Sequence, residues 1–303
     1  MKLALGPILY YWVREAVFDF YRNAADWPVD IVYLGETVCS KRRALRFTDW
    51  LDIADTLRAA GKEVVLSTLT LVEAASELSM MRRIAANRRY PVEANDMAAV
   101  RMLSGAAQGF VAGPHINTYN GETLAVLSDC GARRWVLPPE LSREDLKALQ
   151  AARPAGMETE VFGFGRLPLA FSARCFTARA HDLPKDACEF RCREHPDGMP
   201  MRTREAEDFL VLNGIQVQSA LSLNLIAELP ALTEAGVDVL RLSPQSQHMA
   251  EIAAAFRAAV DGEAEAQLPA TLLPTGPCNG YWHGVPGMTW VSLSPSPSGR
   301  GPG

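Results

Sequence analysis

The sequence has 303 residues, which is enough for one large domain or two small ones with a sizeable core. Hydrophobic residues make up 48% of the chain and charged residues 21%, a composition that excludes a mainly disordered protein. The 30 basic and 35 acidic residues leave a formal net charge of −5. The chain therefore lacks the excess positive charge of a nucleic-acid binder or a polybasic membrane patch.

The N-terminal segment MKLALGPILYYW has the hydrophobicity of a secretion signal but not its other features. It contains one lysine and a Gly6-Pro7 break inside the apolar run, and no small-x-small cleavage site follows. We therefore predict a first strand there. No stretch approaches 18 uninterrupted apolar residues, so no transmembrane segment is predicted. A cytoplasmic chain is expected, and its six cysteines then favour burial, metal binding or catalysis over disulfides.

Short β-branched runs alternate with amphipathic stretches along the chain. Strands are predicted at 3–9, 30–34, 63–69, 91–94, 109–112, 134–137, 158–162, 209–212 and 237–242. Helices are predicted at 14–25, 48–60, 71–87, 97–104, 122–130, 143–152, 223–235 and 249–260. About eight βα repeats with no second composition regime predict an α/β fold, a (β/α)8 TIM-like parallel barrel rather than an open sheet.

The repeat is interrupted once, and this interruption organises the rest of the prediction. Residues 1–291 are expected to form a single barrel-like domain, and the Ser/Pro/Gly-rich residues 292–303 a disordered tail. Between Phe162 and Phe209, about 45 residues show no hydrophobic period, and an insert of that length in a compact domain is usually functional. We therefore predict a cluster-binding insert at 163–207, on the C-terminal face of the barrel.

Three cysteines, Cys175, Cys188 and Cys192, fall in this insert. A cysteine is usually a small buried hydrophobe, but the last two have mainly charged neighbours, namely Lys185, Asp186, Glu189, Arg191, Arg193 and Glu194. If the segment ACEFRC is helical, its i, i+4 spacing puts both sulfurs on one face. Clustered thiols in a polar loop indicate a metal ion or a metal cluster.

A fourth ligand is found by topology. Cys39 follows the predicted strand at 30–34, and Cys175 follows the one at 158–162. Both are βα-loop positions, and in a barrel all such loops open on the face that holds active sites. Cys278 lies beyond the last helix and is a weaker choice, while Cys130 ends an apolar helix and is predicted to be buried. The best set is Cys39, Cys175, Cys188 and Cys192.

Four thiolates suit either zinc or an iron–sulfur cluster. The spacing Cys-x12-Cys-x3-Cys with a distant fourth cysteine is looser than the paired knuckles of structural zinc, and it favours a cluster. Glu36, beside Cys39, is a possible proton-transfer group, although a surface carboxylate is the commoner role. Seven basic residues either offset the charge of a cluster or form a solvated face: Lys41, Arg42, Arg43, Arg174, Arg179, Arg191 and Arg193.

Several segments resemble the collagenase-like peptidase family, in a branch that serves ubiquinone biosynthesis. They are LGPILYYW, YLGETVCSKRR, GRLPLAFSARCFTAR, PKDAC, RLSPQ and CNGYW, between Leu5 and about Trp282. The resemblance implies a barrel-like βα core. Relatives of the peptidase type carry H-G-x-x-C before S-G-x-C. Here the second half survives up to Cys175, Pro168 occupies the earlier cysteine position, and the upstream thiolate is taken to be Cys39.

By this resemblance Cys39, Cys175, Cys188 and Cys192 hold a [4Fe–4S] cluster. The implied role is oxygen-independent hydroxylation of the aromatic ring of ubiquinone precursors, in a heterodimer with a related, cluster-bearing protein of the UbiU type. The hydroxyl oxygen then comes from a metabolite other than O2, and the family suggests prephenate. Two alternatives stay open: a non-catalytic scaffold with a structural cluster, and a peptidase, for which no nucleophile–base set is visible.

Overall fold

The computed structural model describes residues 1–263, 266–273 and 275–292. Eight of its strands are parallel and form a closed barrel. The barrel closes because the last of these eight strands along the chain pairs with both the seventh and the first. The strands are β1 (Lys2–Leu5), β2 (Ile31–Leu34), β3 (Glu63–Ser67), β4 (Val92–Ala94), β5 (Phe110–Ala112), β6 (Ala132–Val136), β7 (Glu158–Phe171), β8 (Met199–Arg202), β9 (Asp208–Asn213), β10 (Gln216–Asn224), β11 (Val239–Leu242) and β12 (Pro277–Cys278). The barrel consists of β1 to β7 and β11, and the predicted TIM-like fold is confirmed.

Among the described residues, six helices connect successive barrel strands from β1 to β7, two lie between β7 and β11, and the last follows β11. They are α1 (Arg14–Ala24), α2 (Phe47–Ala59), α3 (Ala75–Ala85), α4 (Met97–Leu103), α5 (Gly121–Asp129), α6 (Arg143–Ala152), α7 (Phe176–Ala180), α8 (Leu229–Glu234) and α9 (Met249–Val260). Polar side chains start three of them by accepting a backbone N–H: Asp96 for α4, Asn120 for α5 and Ser142 for α6. Within the described residues, no helix is long and apolar enough to cross a membrane.

The barrel interior combines an apolar layer with paired charges. Seven buried side chains form the apolar layer: Ala4, Ile31, Tyr33, Val65, Val111, Val136 and Val239. Arg241 lies over the Tyr33 ring and forms ion pairs with Glu93 at 2.7 Å and Glu160 at 2.6 Å. Arg241, Glu93 and Glu160 thus each have a partner of opposite sign, as the burial of charged groups requires.

The prediction that the residues between Phe162 and Phe209 lack regular structure is wrong over much of that segment. β7 continues beyond the barrel to Phe171 and pairs antiparallel with β10, which pairs with β9, and β9 pairs with β8. Gly163, Gly165 and Pro168 interrupt the strand pattern in β7 and concealed it in the sequence. The predicted strand at 209–212 is therefore β9, which belongs to this antiparallel extension and not to the barrel.

The predicted helix at 223–235 is also wrong in its first part. Leu223 and Asn224 end β10, and the α-helix begins only at Leu229, with Pro230 in its first turn, where a missing N–H is tolerated. The predicted tail, 292–303, lies outside the described residues apart from Ser292.

Candidate metal centre

The loops that follow β1, β2, β3 and β7 meet around a small apolar cluster at one end of the barrel. Its buried members are Leu9, Val38, Cys175, Ala178 and Ile215, and Cys39, Leu71, Phe171, Leu183 and Cys188 pack against it. Three of the four predicted ligands, Cys39, Cys175 and Cys188, therefore lie in or against this apolar cluster. The rule that βα loops open on a common face had predicted this meeting of distant segments.

Cys175 is the N-cap residue of the short helix α7, directly before Phe176. Its Sγ accepts a hydrogen bond from the Ala178 amide at 3.4 Å, and the side chain is buried. The next amide, of Phe176, donates to the Gly214 carbonyl at 2.8 Å. Because Gly214 lies in the turn between β9 and β10, the antiparallel extension fixes the start of α7 and with it the position of Cys175.

Cys188 and Cys192 do not lie on one helix, so the condition that the ACEFRC segment is helical is not met. Two 3-10 turns, Lys185–Ala187 and Arg191–Glu194, are separated by Glu189 and Phe190, whose φ angles of 51° and 55° are left-handed. Two consecutive left-handed residues end any right-handed helix. Such backbone costs energy and persists where surrounding contacts impose it. Both thiols remain partly buried despite the kink.

Glu36 organises the loop that carries Cys39. Its Oε1 accepts hydrogen bonds from the amides of Val38 and Cys39, both at 2.9 Å. The side chain is only 22% exposed, and burial raises the pKa of its carboxyl. The interpretation of Glu36 as a surface carboxylate is therefore wrong, because its contacts hold the cysteine loop.

Arg42 is the buried cation of the site. Its side chain is 1% exposed and donates to the Leu9 carbonyl and to Asn213 Oδ1, both at 2.7 Å. Burial raises the pKa of the Cys39 thiol to about 11 and also raises that of Cys192, although the nearby Arg42 guanidinium acts in the opposite direction. Of the seven basic residues that the sequence places near the cysteines, Arg42 is the one that is buried. Four of the others are exposed: Arg43, Arg174, Arg179 and Arg193.

Lys41 joins two of the cysteine segments. Its Nζ donates to the Lys185 carbonyl at 3.0 Å and pairs with Asp186 at 2.6 Å. The loop of Cys39 is thus tied to the turn that precedes Cys188. This contact lies at the surface, where an ion pair adds little stability by itself.

The other two cysteines lie elsewhere. Cys278 is fully buried in β12, within the core between the barrel and its helices, and burial raises its pKa to about 12. Cys130 follows the last residue of α5 and packs, half-buried, against the same core. Both cysteines contribute to the outer core.

A cavity of about 850 Å³ opens beside the cysteine loops. It lies among the segments that follow β1, β2 and β3, and its lining is largely apolar, including Trp12, Trp50 and Met81. Glu36 and Arg42 contribute to its wall, so the cavity and the cysteine site share residues. Sequence analysis missed this cavity, because its apolar lining residues look the same as core residues in the sequence.

The arrangement was compared with known proteins. The family model described as peptidase family U32 matches residues 15–274. A solved U32 peptidase shares 13% identity over 82% of this chain and 94% of its own, with a TM-score of 0.46. A GH18 chitinase from Pseudoalteromonas aurantia shares 9% identity over 87% of this chain and all of its own, with a TM-score of 0.45. A dihydrodipicolinate synthase from Aquifex aeolicus shares 8% identity over 86% and 76%, with a TM-score of 0.36.

The family match extends over most of the chain, from the first barrel helix to beyond the last one. It includes β7, which leads into the cysteine-bearing segment, and the loop of Cys39. The resemblance to the collagenase-like peptidases is confirmed at this level: the chain belongs to peptidase family U32.

Proposed function

We propose that this chain holds a [4Fe–4S] cluster on Cys39, Cys175, Cys188 and Cys192, and that it is a UbiV-type subunit of an oxygen-independent hydroxylase of ubiquinone precursors. Its partner in this proposal is a UbiU-like protein. The observation that carries the proposal is the convergence of thiol-bearing segments from separate parts of the chain, next to one buried arginine. Cysteine thiolates are the usual ligands of such clusters.

The charge of the site fits an anionic cluster. Four thiolates gathered at one place repel one another, and a buried cation offsets this repulsion. Arg42 supplies that cation, and its Nε is buried without a hydrogen-bond partner among the described residues. A negatively charged group beside it would therefore find an unused donor.

The spacing of the sulfurs favours a cluster over a single zinc ion. Zn–S bonds of about 2.3 Å in a tetrahedron put the sulfurs about 3.8 Å apart. In the described part of the chain, no three cysteine sulfurs lie within 4.8 Å of one another. A larger inorganic core, bridging more widely spaced thiolates, suits this arrangement better.

The chain's own residues have separate tasks in this proposal. When bound, the cluster supplies one-electron transfer. The cysteines hold it, Glu36 keeps the Cys39 loop in place, and Arg42 balances its charge. The neighbouring apolar cavity binds a ring precursor with an apolar tail and keeps water away from it. Mostly apolar cavities of this size with a few polar groups are typical of small-molecule sites.

The two alternatives make different predictions. If the chain is a scaffold with a structural cluster, the cavity takes no part in hydroxylation. A larger side chain that fills the cavity would then leave the hydroxylation rate unchanged. A cysteine peptidase needs a thiolate near neutral pH, whereas burial keeps the thiols of Cys39 and Cys192 protonated there by raising their pKa. Peptide hydrolysis by the purified protein would favour the peptidase.

The proposal is tested in a deletion strain grown without oxygen. Loss of the gene should stop ubiquinone synthesis at ring hydroxylation, and the normal gene should restore it. Met80→Trp, at a partly exposed position lining the cavity, should fail to restore it while keeping iron and sulfide. Met97→Trp, at an exposed position on α4, is the matched control and should restore it. A deletion strain with its usual anaerobic ubiquinone content would show that the proposal is wrong.

A further inference from the structure

A second group of side chains that can bind a metal ion lies beside the 3-10 turn that contains Cys192. α7 begins after Cys175 and is followed by His181, while the 3-10 turn Arg191–Glu194 contains Cys192 and is followed by His195. One ring nitrogen of each histidine and one carboxylate oxygen of Glu194 all lie within 4.8 Å of one another. The histidine and glutamate donors thus occupy the far ends of the two elements that carry Cys175 and Cys192.

One ring nitrogen of His181 forms no hydrogen bond with the described residues. This atom, Nε2, is buried. A buried polar atom left without a partner loses its hydrogen bonds to water without replacement, and native proteins rarely leave such an atom unpaired. A metal ion bound to the ring would satisfy this nitrogen.

We propose that His181, Glu194 and His195 bind one divalent transition-metal ion. Two imidazoles and a carboxylate are the donor set of open zinc sites and of non-haem iron(II) sites, whereas calcium and magnesium prefer oxygen donors alone. A tetrahedral zinc ion sets its nitrogen and oxygen ligands about 3.3 Å apart. The three side chains are therefore close enough to bind an ion after a small movement, with one position left for water.

Glu194 can take part without losing its existing contact. Its Oε1 accepts a hydrogen bond from Arg191 Nη1 at 2.9 Å, which leaves Oε2 as a second donor atom. The two imidazole rings lie 6.4 Å apart between centroids and are inclined by only 30°. The ion would tie the end of α7 to the 3-10 turn, and would thereby hold Cys175 and Cys192 at a fixed separation.

The test measures zinc directly. The full-length chain, without a histidine tag and with its iron and sulfide content determined, is dialysed anaerobically against zinc. We expect one zinc ion per chain in addition to the iron. X-ray absorption at the zinc edge should show nitrogen and oxygen neighbours. Sulfur neighbours would place the zinc on the cysteines and would overturn the proposal.

Variants separate this site from the cysteine site. His181→Ala should abolish the zinc binding, and Glu194→Gln, at an exposed position, should weaken it by at least about 10-fold. His248→Ala removes an exposed histidine that contacts Glu251, and it should change nothing. Equal zinc affinity in Glu194→Gln and the unaltered chain would overturn the proposal even if His181→Ala fails to fold.

This inference does not depend on the proposed function. A variant with all four clustered cysteines replaced by serine should lose iron and sulfide but keep its zinc ion. Zinc lost together with the cysteines contradicts the histidine site, while a chain that never contains iron but still binds zinc through nitrogen contradicts only the cluster.

Discussion

Each of the four candidate cysteines should be required for the iron–sulfur cluster, because each is expected to supply one thiolate. We predict that Cys39→Ala, Cys175→Ala, Cys188→Ala and Cys192→Ala each lose most of their iron and sulfide, measured on anaerobically purified protein. The controls are the two cysteines of the outer core. Cys130→Ala should keep its cluster, and Cys278→Ala should also keep it while losing roughly 1–3 kcal/mol of stability. A Cys188→Ala protein with full iron content would contradict the assignment.

Arg42 should matter for both stability and cluster retention. Replacing it by methionine leaves Asn213 Oδ1 without its donor and leaves the Leu9 carbonyl with only the hydrogen bond from Asn213 Nδ2. The expected loss is about 2–4 kcal/mol in the free energy of unfolding, together with faster loss of iron. Arg43→Met, at an exposed neighbouring position, is the control for chemical denaturation and iron analysis. Unchanged stability in Arg42→Met would contradict the role of Arg42 as the internal cation.

His115 should make stability depend on pH. Burial lowers its pKa to about 4, below the value of about 6.5 in an unfolded chain. Between these values the unfolded chain binds the proton first, so the free energy of unfolding falls as the pH drops from about 7 to about 4, by at most about 3 kcal/mol. His115→Gln should flatten this slope in denaturant titrations, whereas His248→Gln should leave it as it is.

At the scale of elements, Gly35 lets the end of β2 approach β3. Its φ is +140°, and a Cβ there would lie 2.5 Å from the Ser67 carbonyl oxygen. Gly61 also has a positive φ, of +85°, but has no atom within 4 Å of a Cβ position. We predict that Gly35→Ala destabilises the protein by about 1–2 kcal/mol more than Gly61→Ala, measured by thermal unfolding. Equal losses of stability in the two variants would show that only the strain of a positive φ matters, and that the close approach to the Ser67 carbonyl oxygen does not.

Local signals predicted the βα units well. Ser142 and Asp145 form a capping box at the start of α6, and the predicted strands at 30–34 and 63–69 are the barrel strands Ile31–Leu34 and Glu63–Ser67. These features depend on neighbouring residues, which a single sequence displays. The meeting of Cys39 with Cys175 was predictable for another reason, because parallel barrels place every βα loop at one end.

Other features depend on long-range contacts and could not be predicted. β7 and β10 pair across more than forty intervening residues, and only that pairing makes a strand of a segment containing Gly165 and Pro168. The left-handed backbone at Phe190 has no signal in the sequence, because bulky residues rarely adopt it. The cavity arises where apolar side chains fail to fill space, which composition does not reveal.

For the whole molecule, we predict a heterodimer with UbiU. Phe190 is 38% exposed between Cys188 and Cys192, and an exposed aromatic ring at this position suits a partner that covers the cysteine turn. Co-expression followed by anaerobic size-exclusion chromatography should give one complex near twice the mass of this chain. Phe190→Asn, which also suits left-handed backbone, should weaken the complex by at least about 10-fold while iron content stays normal. An isolated chain with full hydroxylation activity would contradict the prediction.

The way the barrel closes also affects how the chain emerges from the ribosome. Lys2 pairs with Val239, so β1 stays without its final neighbour until a further 237 residues have been synthesised. At 5–20 residues per second this takes roughly 10–50 s. During that time β1 exposes an unpaired strand edge, and β7 does so as well once it has been synthesised; such edges are prone to aggregation. The cysteine-bearing segment is synthesised before β11, so a nascent chain already displays all four thiols while its barrel is still open.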